Sequence, residues 1–266
     1  MDLNMKTESE RQAGLQAFNE IAETYDNKPK GYPEELIKII INKANLTAGS
    51  KLLEIGSGTG GATKQFADFG FEIVCIEPSI NMIEKAKTKL KGKNIAFIAS
   101  SFEDYAEPPE YFDAVISAQA WHWVSQPLGY EKCANTLKKG GYLAPFWYIE
   151  LFHDRDVDLD RELWAVIEKY EGYVSCMQEE NYAERMESVA SKIFSSGLFS
   201  KPEIIHTYLD KNYTADDYFN YLSSDAFTKK PEKEKQACRE ELIKLADKYN
   251  GIKRRYTCEL YLTRKL

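Results

Sequence analysis

The sequence predicts an α/β fold: a seven-stranded, mostly parallel sheet with helices on both faces. Three observations carry that expectation. Apolar runs of strand length recur at 52–55, 73–76, 95–99, 112–118, 142–148 and 203–208. Segments with apolar residues at helical spacing separate several of them, the alternation that builds parallel strands joined by crossover helices. The chain then closes on 255–264, where Tyr256, Cys258, Leu260 and Leu262 alternate with Thr257, Glu259, Tyr261 and Thr263, as in a seventh strand.

With 266 residues and 43% hydrophobic content the chain can bury a full core, and its length suits one large domain with an elaboration, or two small ones. Four segments are expected: an N-terminal helical segment at 1–45, a ligand-binding core at 46–150, a helical cap insertion at 151–200 and a completion of the sheet at 201–266. A net charge of −7 and a pI near 5.3 argue against a broad nucleic-acid surface. No apolar run approaches the ~18 residues of a membrane span, and the first residues carry no signal-peptide core, so no membrane partner and a cytoplasmic location are expected. Cys75, Cys133, Cys176, Cys238 and Cys258 are scattered and lack a C-x-x-C pair, which points to reduced thiols and no metal site.

In chain order, Leu15, Phe18, Ile21 and Ala22 recur at helical spacing. Pro33 then fits a helix start, with Glu34 and Glu35 in the first turn and Leu36, Ile37, Ile40, Ile41 and Ala44 as the buried stripe. Residues 51–77 form a βαβ unit: a strand over 52–55, a turn containing Gly56, Gly58, Gly60 and Gly61, a helix over about 63–69, and a strand ending on Glu77. Glycines permit positive φ and close approach of a ligand to the backbone, and the N–H groups at the helix start are expected to face that ligand. Glu77 ends the second strand, where its carboxylate can accept two hydrogen bonds from a ribose diol. An adenosine-type ligand follows.

The spacing Gly56-x-Gly58-x-x-Gly61 also fits a dinucleotide site, by itself a weak signal. Glu54 pulls the other way, because a carboxylate two residues before Gly56 would repel a pyrophosphate but suits a cationic amino group. Glu77-Pro78-Ser79 and a helix carrying Met82 follow, with Ser79 as its N-cap. Together these residues resemble the class I S-adenosylmethionine-dependent methyltransferases, whose motif reads hydrophobic-(Asp/Glu)-hydrophobic-Gly-x-Gly-x-Gly. The resemblance is nearest to the type-11 domain enzymes that act on small molecules. It implies a Rossmann-like core, an antiparallel last strand and S-adenosylmethionine as cofactor.

The same resemblance extends to other segments. The family's Tyr-Asp-x-x-Arg-Pro-x-Tyr-Pro stretch, which lies over the methionine end of the cofactor, is matched by 25–33, with Lys28 where arginine is common and one extra residue before Tyr32. Tyr25 and Tyr32 therefore either contact the cofactor, Tyr25 with a place in catalysis, or pack the N-terminal layer. After the third strand the family's adenine loop falls on Ser101, Phe102 and Glu103, with serine in place of the usual aspartate; Phe102 packs on adenine or belongs to the core. After the fourth strand the segment from Phe112 to Trp123 resembles the family's Phe-Asp-x-Val-x-Ser-x-x-Ala-x-His-Trp. His122 is then a general base or a residue that fixes the loop. The implied cofactor-binding set is Tyr25, Tyr32, Glu54, Gly56, Ser57, Gly58, Glu77, Pro78, Met82, Ser101, Phe102, Glu103, Ala118, Gln119 and Ala120.

A helix near 127–138 leads through a tight turn at Lys138-Lys139-Gly140-Gly141 into the fifth strand. Residues 153–160 look like a calcium loop, but Leu159 and Ala165 stand where glycine and glutamate are needed, so metal binding is rejected. Residues 157–196 read as helices of a cap, the place for acceptor specificity, with Trp164, Tyr170, Tyr173, Tyr182 and Phe194 lining a pocket or packing the insert. Thr214 to Asp217 is a capping box for a further helix, a longer helix covers about 231–249, and Lys253-Arg254-Arg255 reads as a solvated strand start.

The expected activity is in-line transfer of a methyl group to a small-molecule acceptor by a monomer or homodimer. An NAD(H)-binding oxidoreductase and a catalytically silent S-adenosylmethionine-binding regulatory protein are the alternatives.

Overall fold

A computed structural model of the chain describes residues 31–106, 108–150, 157–171, 179–222 and 230–266. Tyr25 and the amphipathic stretch before it lie outside the described residues, as does the first half of the calcium-like loop. No described helix is long and apolar enough to cross a membrane.

The expected α/β alternation is present. Helix α1 (Glu34–Lys43) precedes β1 (Lys51–Ile55), α2 (Gly61–Ala67), β2 (Glu72–Ile76), α3 (Ile80–Lys89), β3 (Ile95–Ile98), β4 (Phe112–Ala118), α4 (Leu128–Thr136) and β5 (Leu137–Glu150). Helices α5 (Val157–Glu171) and α6 (Glu179–Ser195), β6 (Glu203–Tyr213), α7 (Ala215–Leu222), α8 (Glu232–Tyr249) and β7 (Ile252–Arg264) complete the chain. The strands form one sheet in the order β3-β2-β1-β4-β5-β7-β6, parallel except for β7, which runs antiparallel to both neighbours. β1 lies inside the sheet and is buried on both faces from Leu52 to Ile55, with Glu54 as the charged side chain among them.

Alternation along the strands divides the core between the two faces. Leu53, Val115, Leu143, Trp147 and Tyr261 face a cluster completed by Tyr130 of α4 and Ile193 of α6. Leu52, Ala114, Phe146 and Leu260 face the other, with Leu36, Ile37 and Ile40 of α1 and Phe66 of α2. Each fully buried Leu or Ile of that stripe contributes roughly 2 kcal/mol, so α1 is held by packing more than by propensity.

Three local expectations change. The glycine turn at 138–141 is a bulge inside β5: Phe112 pairs with Leu137 and Ala114 with Tyr142, so the extra residues loop out, with Gly140 at φ 75°. β6 continues past 208 to Tyr213, although Asp210, Lys211 and Asn212 have no apolar pattern, because each pairs with a residue of β7 and Arg255 grips both carboxylate oxygens of Asp210 at 2.5 Å. Arg254 is not a solvated residue. It is 3% exposed and reaches Asp160 of α5 at 2.5 Å, because period-two alternation turns it toward the helices while Lys253 faces water.

The helices after β5 go to two places. α6 lies on the sheet face with Val189, Ala190 and Ile193. α5 packs with α7 and α8 around Leu163, Ile167, Tyr218, Leu242 and Tyr256, over the ends of β6 and β7 that overhang β5 at its carboxyl edge.

Candidate cofactor site

The glycine turn joins β1 to α2 at the carboxyl edge of the sheet. Gly56, Gly58 and Gly60 have φ of 70°, 53° and 81°, the left-handed region that side chains avoid. Gly56 is doubly constrained, since a Cβ there would collide with the Cβ of Ala120 in the loop after β4. The turn's amides are mostly engaged within the protein. Gly56 and Ser57 donate to the Ile76 carbonyl at 2.8 and 3.3 Å, Gly58 to Glu77 Oε2 at 2.9 Å, and Gly60 to the Ser57 carbonyl at 2.9 Å. These four amides belong to the turn itself, whereas the N–H groups expected to face a ligand are those of the helix start from Gly61 onward. At these turn positions a ligand is held by close backbone approach.

Glu77 sits at the tip of β2, 7% exposed, with Oε1 accepting from the Ser79 amide and Oε2 from the Gly58 amide, both at 2.9 Å. Burial raises its pKa, and those two amides oppose the rise. The carboxylate is therefore oriented beside the turn, with lone pairs to spare for hydroxyl donors. Ser79 caps α3 as expected, accepting the Met82 amide at 3.3 Å; the Met82 side chain is buried under the helix start, and Pro78 is exposed.

Glu54 is 1% exposed beneath the turn, against the Thr63 hydroxyl and the Cys75 thiol, whose Sγ lies 3.9 Å from Oε2. Burial pushes its pKa to about 7, the neighbouring Glu77 pushes the same way, and Thr63 and Cys75 pull against them. A cationic group bound nearby would favour the ionised form.

The adenine-loop candidates are tied into the protein. Ser101 Oγ donates to Asp104 Oδ2 at 2.7 Å and accepts the Asp104 amide at 3.1 Å, and Glu103 Oε1 accepts the Ser125 amide at 2.6 Å. Phe102 is buried in the core cluster, with Lys132 Nζ 5.8 Å from its ring centre. Across the crevice, Ala118 ends β4, and Gln119 adopts φ 59°, a conformation uncommon outside glycine. The Gln119 amide donates to the Phe146 carbonyl and its Nε2 to the Tyr148 carbonyl at 3.4 Å, while its buried Oε1 has no hydrogen-bond partner among the described residues.

His122 lies in a short 3₁₀ turn (Trp121–Trp123) and is 2% exposed. Its Nδ1 accepts the indole N–H of Trp147 at 3.2 Å. In the neutral ring the proton is then on Nε2, an arrangement that fixes the loop and leaves no free basic nitrogen. Tyr32 stacks on Tyr148 with ring centres 4.4 Å apart and meets Phe146 edge-on at 4.8 Å; Gln65 ties both its backbone groups, at 2.7 and 2.8 Å.

Tyr148 was not legible as a site residue. It looks like any strand aromatic, and only its place at the carboxyl end of a central parallel strand could have flagged it. Among the described residues no group of three or more His, Cys, Asp or Glu could hold a metal ion.

Fold and site together define an α/β protein that gathers a glycine turn, Glu54 and Glu77 at the carboxyl ends of β1 and β2, facing the loop after β4. A family model described as a methyltransferase domain matches residues 53–144. An uncharacterized methyltransferase of Geobacillus sp. (strain WCH70) is 35% identical over 135 residues, covering 47% of this chain and 63% of its own length, so the chain spans under two thirds of that relative. One from Geobacillus kaustophilus is 30% identical over 179 residues, 58% of this chain and 83% of its own length. Among solved structures, a candidate type II methyltransferase from Anaeromyxobacter dehalogenans has a TM-score of 0.60 at 19% identity, over 89% of this chain and 97% of that one. The Haemonchus contortus phosphoethanolamine N-methyltransferase 2, in complex with phosphomonomethylethanolamine and S-adenosylhomocysteine, has a TM-score of 0.51 at 17% identity, over 95% of this chain and 57% of that one. At such identities the two structures share the fold. The chain belongs to the S-adenosylmethionine-dependent methyltransferases.

The residues present fit that cofactor. The turn has no side chain at Gly56 and Gly58, Glu77 is oriented to accept from hydroxyls, and Glu54 is a carboxyl poised between its two protonation states.

Proposed function

We propose that this chain transfers the methyl group of S-adenosylmethionine to a small-molecule acceptor, as a cytoplasmic monomer or homodimer. The observation that carries the reading is the Glu77 carboxylate, held by the Gly58 and Ser79 amides beside a turn whose Gly56, Ser57 and Gly60 amides are engaged. That arrangement suits the ribose diol of an adenosine-type ligand, and the methyltransferase-domain match together with the Glu54 carboxyl beneath the turn supports S-adenosylmethionine over a dinucleotide. The net charge of −7 supports a small acceptor over nucleic acid.

When bound, the cofactor supplies a methyl group on a sulfonium, a leaving group that needs no further activation. The acceptor's lone pair forms the new bond to carbon as the carbon–sulfur bond breaks, and sulfur keeps the electron pair. This chain's part is alignment and desolvation. Glu77 holds the ribose, Gly56 and Ala118 to Ala120 shape the crevice by backbone approach, and Tyr32 stacked on Tyr148 walls off the acceptor side. His122 serves by fixing the 121–123 turn, and Tyr25 and Tyr32 stand as candidates above the methionine end.

The test is transfer of labelled methyl from S-adenosylmethionine into a size-filtered metabolite extract, beside protein and nucleic-acid fractions. Label is expected in the small-molecule fraction. Label only in protein or nucleic acid, or in none, would reject the proposal.

A further inference from the structure

Beyond the cofactor crevice, the carboxyl halves of β5 and β6 and the amino half of β7 carry a polar cluster on an otherwise apolar face. Tyr148, Cys258 and Thr207 stand side by side across the three strands, Cys258 in register with both. Lys211 lies four residues further along β6 on the same face, and Tyr213 beyond it shares a hydroxyl contact of 3.0 Å with Tyr256. The surrounding residues are Ile205, Leu209, Phe146 and Leu260.

The polar atoms of this cluster are incompletely matched. Thr207 is 2% exposed with its hydroxyl set only against the Cys258 thiol, and the Tyr148 hydroxyl is buried with no hydrogen-bond partner among the described residues. On this face Arg254 has Asp160 as its carboxylate; the pairs Arg255–Asp210 and Arg185–Glu259 belong to the other face of the sheet. Lys211 is half-buried, directly opposite Arg254, and makes no ion pair with any described residue. Partial burial holds its pKa below the ordinary lysine value, as expected for an ammonium short of both water and a counter-ion. Cys258 does not supply that counter-ion, since burial pushes its thiol up to about 12 and it stays protonated at neutral pH. In a chain of net charge −7, a sheltered cation without a carboxylate runs against the general background.

An ammonium on the same sheet face as two buried hydroxyls, that of Tyr148 with its donor capacity unused, is the chemistry that receives an anion. The cluster is also continuous with the crevice, because Tyr148 stacks on Tyr32 and its carbonyl accepts from Gln119. We propose that Lys211, Thr207 and Tyr148 form an anion subsite that anchors a carboxylate or phosphate group of the methyl acceptor. This rests on the small-molecule reading above and adds the acceptor's charge class. Lys211 supplies a point charge, and Thr207 and Tyr148 orient the group by donating hydrogen bonds. The acceptor is then a small organic anion methylated at an atom some distance from its anchored end.

The test is calorimetric titration of the full chain, saturated with S-adenosylhomocysteine, with citrate and separately with inorganic phosphate. Wild type, Lys211→Met, Lys211→Arg and Thr207→Val are compared. At least one anion is expected to bind the wild type. Its affinity should fall about tenfold or more in Lys211→Met, as for loss of a charge-assisted hydrogen bond, less in Lys211→Arg, and also in Thr207→Val. Citrate binding alone assigns a carboxylate, phosphate binding alone a phosphate. Absence of binding by both, or equal binding by wild type and Lys211→Met, would overturn the subsite. Binding of S-adenosylhomocysteine should be the same in Lys211→Met as in wild type. Its absence from the wild type would count against the cofactor reading instead, so the two readings fail separately.

Discussion

The two halves of the sheet are organised on different principles. From β1 to β4 the site is built from backbone: glycines with positive φ, amides spent on the Ile76 carbonyl and the Glu77 carboxylate, and a serine cap on α3. From β5 to β6 order comes from side chains that meet over long stretches of sequence. Arg185 pairs with Glu259 at 2.8 Å across 74 residues, and Arg254 with Asp160 across 94. The contrast teaches that the cofactor half leaves its signature in short motifs, whereas the acceptor half leaves single charged residues whose partners no local pattern reveals.

The largest expected effect is in the second half. Glu259 is wholly buried, and replacing it with leucine strands the Arg185 guanidinium in a poorly solvated place. A loss of about 3–5 kcal/mol in denaturant unfolding is expected, much of it recovered in the double variant Arg185→Met with Glu259→Leu. A single-variant loss under about 1 kcal/mol would mean that apolar packing alone holds this half.

Next comes a pH effect in the cofactor half. Glu54 has a folded pKa raised from 4.5 to about 7, so its contribution is fully present below about pH 4.5 and is lost as pH rises through 7. Relative to Glu54→Gln, the wild type should therefore lose stability between those limits, by on the order of 3 kcal/mol at pH 8. Parallel stability curves for the two proteins would show that Glu54 does not titrate there. Because a cationic ligand favours the carboxylate, cofactor affinity should fall as pH drops through 7, and this dependence should vanish in the variant.

The smallest effect concerns Gly56. Alanine there meets both a positive φ and the Ala120 side chain, and a loss of about 1–3 kcal/mol is expected with loss of cofactor binding. Adding Ala120→Gly should restore the part due to collision and leave about 1 kcal/mol from the backbone. No recovery in the double variant would show that φ alone makes glycine necessary.

The fold was largely legible because its signals are periodic. The α1 stripe, the Ser79 cap and the mutual Thr214–Asp217 cap can each be read within a few residues, and all three are present. The extension of β6 was hidden because Asp210 and Lys211 belong in a strand only once Arg255 and Arg254 lie alongside. The burial of Arg254 was hidden because Asp160 lies in another element. The site was legible as a set of positions and less so as a set of roles. Which amide pairs with which carbonyl, or that Glu103 is taken by Ser125, follows from loop geometry that spacing does not encode. Tyr148 and Lys211 had no motif to announce them.

The most direct measurement is calorimetric titration of wild type and Glu77→Ala with S-adenosylhomocysteine and with NADH. Micromolar binding of S-adenosylhomocysteine by the wild type, its loss in Glu77→Ala, and no comparable binding of NADH are expected. Binding of NADH in preference to S-adenosylhomocysteine, or unchanged affinity in Glu77→Ala, would contradict the assignment of the crevice.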